Sequence, residues 1–416
     1  MRRSLLLVAY FYPPSRDTGS LRPASMARWL TRLGHEVTVL TTSAYGPSPE
    51  DARQPVIRAA DAQLWRARLR GADRVDALFD ADTYGGRAHP LAKLIVPEPL
   101  ALAWAPFARR AALRLHRGRH FDCVITSSPP ESVHLVGRAL RRRGLPWVAD
   151  VRDAWNFEPL RPRFPTAAQR RLDERLERRW LGDANVVVTV SRPAAEDLRA
   201  RLGIEASVVP NGWDPALADA GAQSSGVSLD PDRVSLVYTG RFGSYGRDPT
   251  ALIDALARIA RESPEAAARL ELVIAGPLTD AEAKLLSRDV SPARIVRAGS
   301  LPRERSIALQ READALLLIA HPTRTQLLNI KLFEYLAAGR PILALAAGTE
   351  AGRVVEEIAG ETVRADDPES IAAALRRLAA RELAAPAPES VEPYTYPAPA
   401  EGMAAAVEEA IAARGD

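Results

Sequence analysis

Short, uninterrupted apolar runs recur along the chain, and each is followed by a turn and then by a stretch with helical spacing. Examples are residues 4–10, 36–42 and 234–240. Such runs are typical of strands buried on both faces of a parallel sheet, because helices cover that kind of sheet from both sides. The alternation starts at residue 4 and starts again at residue 234. It predicts an α/β protein with two doubly wound, Rossmann-like domains.

The length of the chain agrees with this division. Its 416 residues suffice for two domains of about 200 residues each. We place the first domain at 1–212, a linker of little periodicity at 213–233, and the second domain at 234–385. Residues 47–86 are rich in Arg and Asp, and they predict irregular, exposed structure.

The charge balance and the single cysteine exclude several classes of protein. The 56 Lys and Arg residues against 52 Asp and Glu residues give too small and too dispersed an excess to indicate a nucleic-acid partner. Cys123 is the only cysteine, so the chain has no internal disulfide, which fits a cytoplasmic location. No His/Cys cluster or carboxylate pair has the spacing of a metal site, so we expect neither a metal nor another cofactor.

The segment 100–119 predicts an amphipathic basic helix. Trp104, Phe107, Ala111 and Leu115 share one side of it, with arginines on the other. A helix of this kind can make a peripheral contact with the inner face of an anionic membrane or with a lipid-linked acceptor. The interpretation that we favour is a helix that packs on the core and exposes its charged face.

The region 321–346 reads as the end of a strand, a polar loop, a short helix and a second buried strand. Asn329, Ile330 and Lys331 are expected near the N-terminus of that helix, where free backbone N–H groups and the positive end of the helix dipole suit a phosphate. Glu334 lies on the same helix, within reach of a sugar's hydroxyls. The alternative is an ordinary amphipathic helix in which Glu334 pairs with an arginine.

A glycine-studded loop, 240–249, follows the first strand of the second half. Its glycines, beginning with Gly240, allow the backbone to close around a pyrophosphate, whose charge Arg241 and Arg247 can neutralise. A strand-to-helix loop that carries surface arginines is the alternative.

These two regions resemble the donor-binding elements of GT-B glycosyltransferases of family 4, a large retaining family. The family carries a Glu, seven residues and a second Glu; Glu334 matches the second, and Gln326 stands where the first is expected. Arg241 matches the Arg of the family's Gly-Arg element. Arg247 has the spacing of the Lys that follows, although an aspartate replaces the next glycine.

The resemblance implies two domains that face each other across a cleft, with the last helix, 402–414, packed back on the first. It implies metal-independent, retaining transfer of a hexosyl group from a nucleoside diphosphate sugar, which is a substrate, to an acceptor hydroxyl. Arg241, Arg247 and Lys331 would stabilise charge on the leaving diphosphate. The implied donor-binding residues are Gly19, Gly240, Arg297, Gly299, Leu301, Gln326, Asn329, Ile330 and Glu334.

Charged residues also gather in the first half, at 146–153. Asp150, Arg152 and Asp153 close a predicted strand, at the edge where open α/β sheets bind ligands. The letters PWVADVRDAW resemble the DxRDxW of a polysaccharide-linked subset of the family. We interpret Asp153 as an acceptor contact or general base, with a structural Arg152–carboxylate pair as the alternative. Ser127 stands where the family often carries a His.

The resemblance therefore implies an acceptor among cell-surface glycans or glycolipids. A natural-product glycosyltransferase with a small soluble acceptor is one alternative. A catalytically silent relative that binds sugar nucleotides is another, favoured by Gln326 and by the missing His. A sugar-nucleotide 2-epimerase of the same fold is disfavoured, because such enzymes use histidines and the chain has 6.

Overall fold

The computed structural model describes residues 1–15, 17–48, 54–64, 94–157, 164–217, 224–243, 247–321, 323–328 and 330–413. The chain divides into two compact units. Unit 1 comprises Met1–Pro210 and Pro397–Asp416, and unit 2 comprises Asn211–Tyr396. Each unit is built on one parallel sheet with helices, which confirms the predicted α/β class of two doubly wound domains.

Unit 1 contains a sheet of seven strands. They are β1 (Ser4–Ala9), β2 (Glu36–Thr42), β3 (Val56–Ala59), β4 (Cys123–Ser128), β5 (Trp147–Val151), β6 (Val186–Thr189) and β7 (Ala206–Val208). Their order is β3-β2-β1-β4-β5-β6-β7, and every pairing is parallel. The direction of progression reverses between β1 and β4, so the loops that follow these two strands leave the sheet side by side.

The helices of unit 1 follow the strands in alternation. They are α1 (Leu21–Arg32), α2 (Leu100–Ala103), α3 (Ala105–Gly118), α4 (His134–Arg141), α5 (Ala167–Leu181), α6 (Arg192–Asp197), which continues as a π-helical turn, and the last helix, α15 (Ala398–Ala412). Helix α15 packs against α1 and against β4, β5 and β6. The C-terminal helix is therefore part of unit 1.

Unit 2 contains a parallel sheet of six strands. They are β8 (Val234–Thr239), β9 (Leu270–Ala275), β10 (Arg294–Arg297), β11 (Ala315–Ile319), β12 (Ile342–Leu345) and β13 (Glu361–Val363). Its helices are α7 (Thr250–Glu262), α8 (Pro264–Ala268), α9 (Asp280–Leu285), α10 (Arg303–Glu312), α11 (Ile330–Ala338), α12 (Glu350–Glu357), α13 (Pro368–Ala379) and α14 (Pro388–Val391). The strand order is β10-β9-β8-β11-β12-β13, which reverses between β8 and β11.

Side chains in the sequence explain where several helices begin. Thr166 and Gln169 form a capping box at the start of α5, and Thr279 and Glu282 form another at the start of α9. Asp367 accepts backbone hydrogen bonds at the start of α13. Each cap satisfies N–H groups that have no partner within the helix.

The uninterrupted apolar runs reflect burial on both faces of each sheet. In β8, Leu236 and Tyr238 belong to one hydrophobic core and Val237 belongs to the core on the opposite face. Successive strand residues point to opposite sides, so a strand covered on both faces needs apolar residues at every position.

Two expectations about the less regular regions need correction. Residues 47–86 are not irregular throughout, because Val56–Ala59 forms the edge strand β3 beside β2; residues 49–53 and 65–86 lie outside the described part of the chain. The predicted linker, 213–233, belongs to unit 2 where it is described, and Trp213 forms a β-bridge with Thr395.

The amphipathic helix predicted over 100–119 is present as α2 and α3, but its buried face differs from the predicted one. Trp104, Ala108 and Ala112 are buried, whereas Phe107 is 44% exposed. Arginines occupy the exposed side of α3, as expected. Within the described residues, no helix has the length and apolarity that a membrane crossing requires.

Candidate functional site

The candidate site in unit 2 lies where the strand order reverses. Strands β8 and β11 are neighbours there, and the loops that follow them leave the same sheet edge. This is the position at which open α/β sheets bind ligands. The loop after β8 carries Gly240, Arg241 and Arg247, and the loop after β11 leads into α11, whose second residue is Lys331.

Lys331 and Gly240 are in direct contact. A Cβ atom built on Gly240 would lie 2.2 Å from the Lys331 Nζ atom, and the φ of Gly240 is +107°. Gly276, just after β9, also lies close to Gly240, because a Cβ there would be 2.1 Å from the Gly240 carbonyl oxygen. Glycine is therefore required at Gly240 for two reasons, its backbone conformation and the space that the ammonium occupies.

Tyr238, near the end of β8, joins the lysine to the glycine-rich loop. The Lys331 Nζ atom lies 4.5 Å from the centre of the Tyr238 ring and 3.4 Å from its hydroxyl oxygen. The same hydroxyl donates a 2.7 Å hydrogen bond to the carbonyl oxygen of Arg241. Arg247 donates to that carbonyl as well, at 3.3 Å.

The sequence analysis missed Tyr238. The signal that could have identified it is an aromatic residue two positions before the Gly-Arg pair, in a strand that is otherwise aliphatic or hydroxylic. Its ring stacks on Phe242 with the ring centres 4.2 Å apart, and both residues are buried.

Burial and a neighbouring cation shift the charge of Lys331. Removal from water lowers its pKa from the usual 10.5 to about 7, the positive charge of Arg247 lowers the pKa further, and the negative charge of Glu334 opposes both. A bound anion would favour the charged form of the lysine.

Arg241 contributes differently from the other two cations. Its backbone carbonyl belongs to the cluster, whereas its side chain is exposed and forms no hydrogen bond or ion pair within the described residues. The structure thus brings Gly240, Arg247 and Lys331 together and places the guanidinium of Arg241 in solvent.

Glu334 is paired with an arginine, as in the alternative interpretation of its helix. Its carboxylate accepts a hydrogen bond from Arg303 at 2.9 Å and one from Gln310 at 3.4 Å. The Gln310 amide also donates to Thr239 in β8, at 3.0 Å. Only 13% of the Glu334 side chain is exposed, so the carboxylate is held in place.

The remaining predicted donor residues occupy two places. Gln326 is buried and Ile330 opens α11, whereas Asn329 lies outside the described residues. Arg297 and Gly299 are exposed at the end of β10, and half-buried Leu301 follows them; Leu301 packs against a core of unit 2. Strand β9 separates β10 from β8, which puts their ends about 10 Å apart.

In unit 1, Asp150 at the end of β5 is fully engaged. It forms a buried ion pair with Arg22 at 2.9 Å and accepts a 2.7 Å hydrogen bond from Ser127. Arg22 also donates to the carbonyl of Pro210, at 2.8 Å. Ser127 is itself buried, so its hydroxyl serves the fold at the position where the family often has a His.

Among the described residues, Arg152 makes its hydrogen bonds to backbone carbonyls and forms no ion pair with a carboxylate. Arg152 donates to three backbone carbonyls, those of Ser128 at 2.6 Å, Pro129 at 3.3 Å and Gly19. Arg22 instead pairs with the carboxylate of Asp150. Arg152 therefore ties together the loops that follow β1 and β4.

Gly19 belongs to this network through its carbonyl, which accepts from Arg152, and Asp153 follows Arg152 directly in the chain. The Gly19 N–H donates to the Asp17 carboxylate at 2.6 Å, so it is already bound. Asp153 is half-buried, and its side chain forms no hydrogen bond or ion pair with the described part of the chain. Burial raises the pKa of Asp153, and the charge of Arg152 opposes that rise.

Family models match most of the chain. Residues 24–217 match Glycosyltransferase Family 4, and residues 233–381 match Glycosyl transferases group 1. The chain is a family 4/group 1 glycosyltransferase. No curated protein matches its sequence.

Solved structures show that this glycosyltransferase has the GT-B fold. Sucrose-phosphate synthase from Thermosynechococcus elongatus is 18% identical, with a TM-score of 0.62 over 97% of this chain and 98% of that one. A UDP-forming trehalose-phosphate synthase from Burkholderia vietnamiensis is 13% identical, with a TM-score of 0.58 over 99% and 97%. The lipopolysaccharide outer core galactosyltransferase WaaB is 13% identical, with a TM-score of 0.58 over 97% and 99%.

Proposed function

We propose that this glycosyltransferase moves a hexosyl group, with retention of configuration, from a nucleoside diphosphate sugar to a hydroxyl of a cell-surface glycan or glycolipid. The observation that carries the donor half of this proposal is the contact of Lys331 with Gly240, beside Arg247. The contact holds an ammonium at the sheet edge that suits a ligand, with a second cation near it.

The chemical demand on such a site is charge stabilisation. When the sugar leaves, negative charge builds on the diphosphate, and fixed cations lower the energy of that state. Lys331 and Arg247 supply two positive charges, and the exposed guanidinium of Arg241 supplies a third that can reach a phosphate bidentately. The N–H groups in the first turn of α11 add dipoles of the same sign. These groups do the work for which other transferases use a metal.

The rest of the donor would lie along the same edge. Glu334 would accept hydrogen bonds from the ribose, buried Gln326 would contact the sugar, and residues 297–301 would line the base pocket. The ion pair between Arg303 and Glu334 bears on this role, because the ribose must share the carboxylate with that arginine.

Asp153 is proposed to meet the acceptor. It is a half-buried carboxylate at the carboxyl end of β5, and its raised pKa suits a group that takes up a proton from a hydroxyl. The choice of a glycan or glycolipid acceptor rests on the resemblance of residues 146–155 to the polysaccharide-linked DxRDxW. WaaB is named for a glycolipid of this kind, and the two synthases are named for phosphosugar products.

A peripheral membrane contact through 100–119 completes the proposal. Leu102 is 65% exposed and Phe107 is 44% exposed, and exposed arginines follow on α3. Apolar side chains among cations fit the interface of an anionic bilayer. Sedimentation with anionic vesicles tests this: we expect Phe107→Ser to reduce binding and neutral vesicles to bind weakly, and equal binding of both proteins would contradict it.

Thermal shift against UDP, GDP, ADP and TDP tests the donor site. A diphosphate present at about 100 times its dissociation constant should stabilise the protein by about 2.7 kcal/mol. We expect Arg241→Ala to abolish that shift without lowering the melting temperature of the free protein, because its side chain is exposed. Arg340→Ala, at another exposed arginine of unit 2, is the matched control and should shift like the wild type.

Nucleotide release separates a transferase from a silent relative. The nucleotide that stabilises the protein is supplied as its sugar, and release is measured with and without candidate acceptors. Release that depends on the acceptor supports transfer. Binding without release under any acceptor would favour the silent relative, in which Gln326 in place of Glu removes a negative charge near the sugar.

A further inference from the structure

We propose that Tyr238 is a positioning residue for the diphosphate: its ring and hydroxyl hold the Lys331 ammonium against Gly240 and hold the backbone of Arg241. The inference rests on the proposed donor site, and it adds to that site a residue that does not touch the ligand. Tyr238 is 1% exposed, so it acts through its contacts with Lys331 and with the backbone of Arg241.

The ring of Tyr238 defines where the ammonium lies. The Nζ atom of Lys331 is 4.5 Å from the ring centre, a cation–π distance, and it also contacts Gly240. Phe242 stacks on the ring at 4.2 Å with an angle of 10° between the planes, and it is fully buried. The lysine thus contacts both a packed aromatic ring and a glycine.

The hydroxyl of Tyr238 performs a second task. It donates to the Arg241 carbonyl at 2.7 Å while its oxygen accepts from Lys331 at 3.4 Å. One hydroxyl offers one donor and two acceptor sites, so both bonds form at once. Burial raises the pKa of Tyr238, and Arg247 opposes that rise, so the hydroxyl keeps its proton for the carbonyl at neutral pH. The loop and the lysine are therefore fixed by the same oxygen.

The charge of Lys331 depends on the groups that face it. Among the described residues they include Tyr238 from β8, Arg247 from the loop after β8 and Glu334 from its own helix, and Glu282 of α9 acts on Tyr238. Removal of the Tyr238 hydroxyl deletes a hydrogen bond to the charged ammonium, which favours the neutral lysine. A positioning role therefore predicts a change in the pH dependence of anion binding, which a purely structural role does not.

The experiment measures dissociation constants by calorimetry between pH 5.5 and 8.5, with UDP, GDP, ADP, TDP and inorganic pyrophosphate as probes. The quantity of interest is the variant-to-wild-type ratio at each pH, because the titration of the probe cancels in it. We expect Tyr238→Phe, which keeps the ring, to weaken binding about fivefold to tenfold at pH 7, with a ratio that grows between pH 6 and 8. Tyr238→Leu, which loses the ring too, should bind more weakly still.

Tyr394→Phe is the matched control. It removes a tyrosine hydroxyl of unit 2 that bonds to Glu357 at 3.2 Å, away from the lysine, and should bind like the wild type. A Tyr238→Phe protein with wild-type constants, or with a ratio that stays constant across the pH range, would overturn the inference. The proposed donor site would still be supported in that case if the wild type binds the probes and Lys331→Met does not. If the wild type binds none of the five probes, the donor site and the inference both fall.

Discussion

The two sheets of the molecule place cations at the same kind of position and use them differently. In unit 1, Arg22 and Arg152 lie at the carboxyl edge near the reversal of strand order, and both are buried. Arg22 pairs with Asp150, and Arg152 binds backbone carbonyls. In unit 2, the corresponding edge carries Lys331, whose ammonium rests on an aromatic ring and a glycine.

The difference lies in the supply of negative charge. Unit 1 provides a carboxylate or carbonyl for its buried arginines, so those arginines stabilise loops. In unit 2, the carboxylate on the helix of Lys331 is Glu334, and Arg303 is bonded to it. The edge of unit 2 also carries Glu282, which accepts a hydrogen bond from the Gly243 N–H, so its two described carboxylates are held by an arginine and by the backbone. Equivalent topology therefore gives a structural edge in unit 1 and the edge that we propose binds the diphosphate in unit 2.

The strongest test of the comparison breaks the ion pair of unit 1. Arg22→Ala removes the ion-pair partner of the Asp150 carboxylate, whose side chain is 2% exposed. The substitution should lower the free energy of unfolding by about 3–5 kcal/mol. Urea unfolding followed by tryptophan fluorescence reports on unit 1, because all of the 7 tryptophans except Trp213 lie there. Arg2→Ala removes an exposed partner of Glu36 and should cost less than about 1 kcal/mol. An equal loss of stability in Arg22→Ala and Arg2→Ala would contradict the structural role of Arg22.

The next test displaces the Lys331 ammonium by a substitution at Gly240, so the lysine itself is unchanged. A Cβ at Gly240 would meet the Lys331 ammonium, the movable end of a flexible side chain, so Gly240→Ala should reduce diphosphate affinity about 30-fold. Gly339→Ala is the control, since its φ is also positive, at +65°, but its Cβ would enter open space. Both variants should lose about 1–2 kcal/mol of stability to backbone strain, and calorimetry should show the affinity loss only in the first.

The pH dependence of binding sharpens the contrast between a titrating lysine and permanently charged arginines. The free protein loses the Lys331 charge as the pH rises through about 7. Affinity for a diphosphate should be full below about pH 6 and should fall by up to about tenfold per pH unit above 7. Lys331→Met should bind the diphosphate weakly, and its affinity should lack the fall above pH 7 that the lysine causes. A wild-type affinity that stays constant from pH 7 to 9, after correction for the ligand's own titration, would count against the lysine.

The smallest expected effect concerns the carboxylate beside the site. Arg303→Ala frees Glu334 from an ion pair whose arginine is 40% exposed, so stability should change by less than about 1 kcal/mol. A ribose no longer shares the carboxylate, and nucleoside diphosphates should bind about twofold to threefold tighter. Inorganic pyrophosphate has no ribose and should bind unchanged, and Arg303→Lys should resemble the wild type. A parallel change for both ligands would argue against a ribose contact.

Much of the fold can be predicted from the sequence, because the patterns that indicate it lie within neighbouring residues. Apolar runs such as Val234–Thr239 mark strands buried on both faces, and the element that follows each run is set by its own spacing and caps. The glycine-rich loop and the helix that begins at Ile330 adjoin strands, so topology alone assigns them to one edge. The sequence did not predict the strand Val56–Ala59, because it is only four residues long and contains an arginine. A strand of this kind can form at the edge of a sheet, where it pairs on one side only.

The sequence by itself determined the α/β class, the two repeated units and the cationic loops of the second, since each follows from neighbouring residues. The tertiary structure decided which partner each charged side chain has within the protein. Arg22 meets Asp150 across 128 positions, Arg303 meets Glu334 across 31, and Lys331 meets Tyr238 across 93. No local pattern encodes these partners, because each pair is set by how the helices dock on the sheet. That docking separates an arginine that stabilises the fold from a lysine that we propose binds an anion.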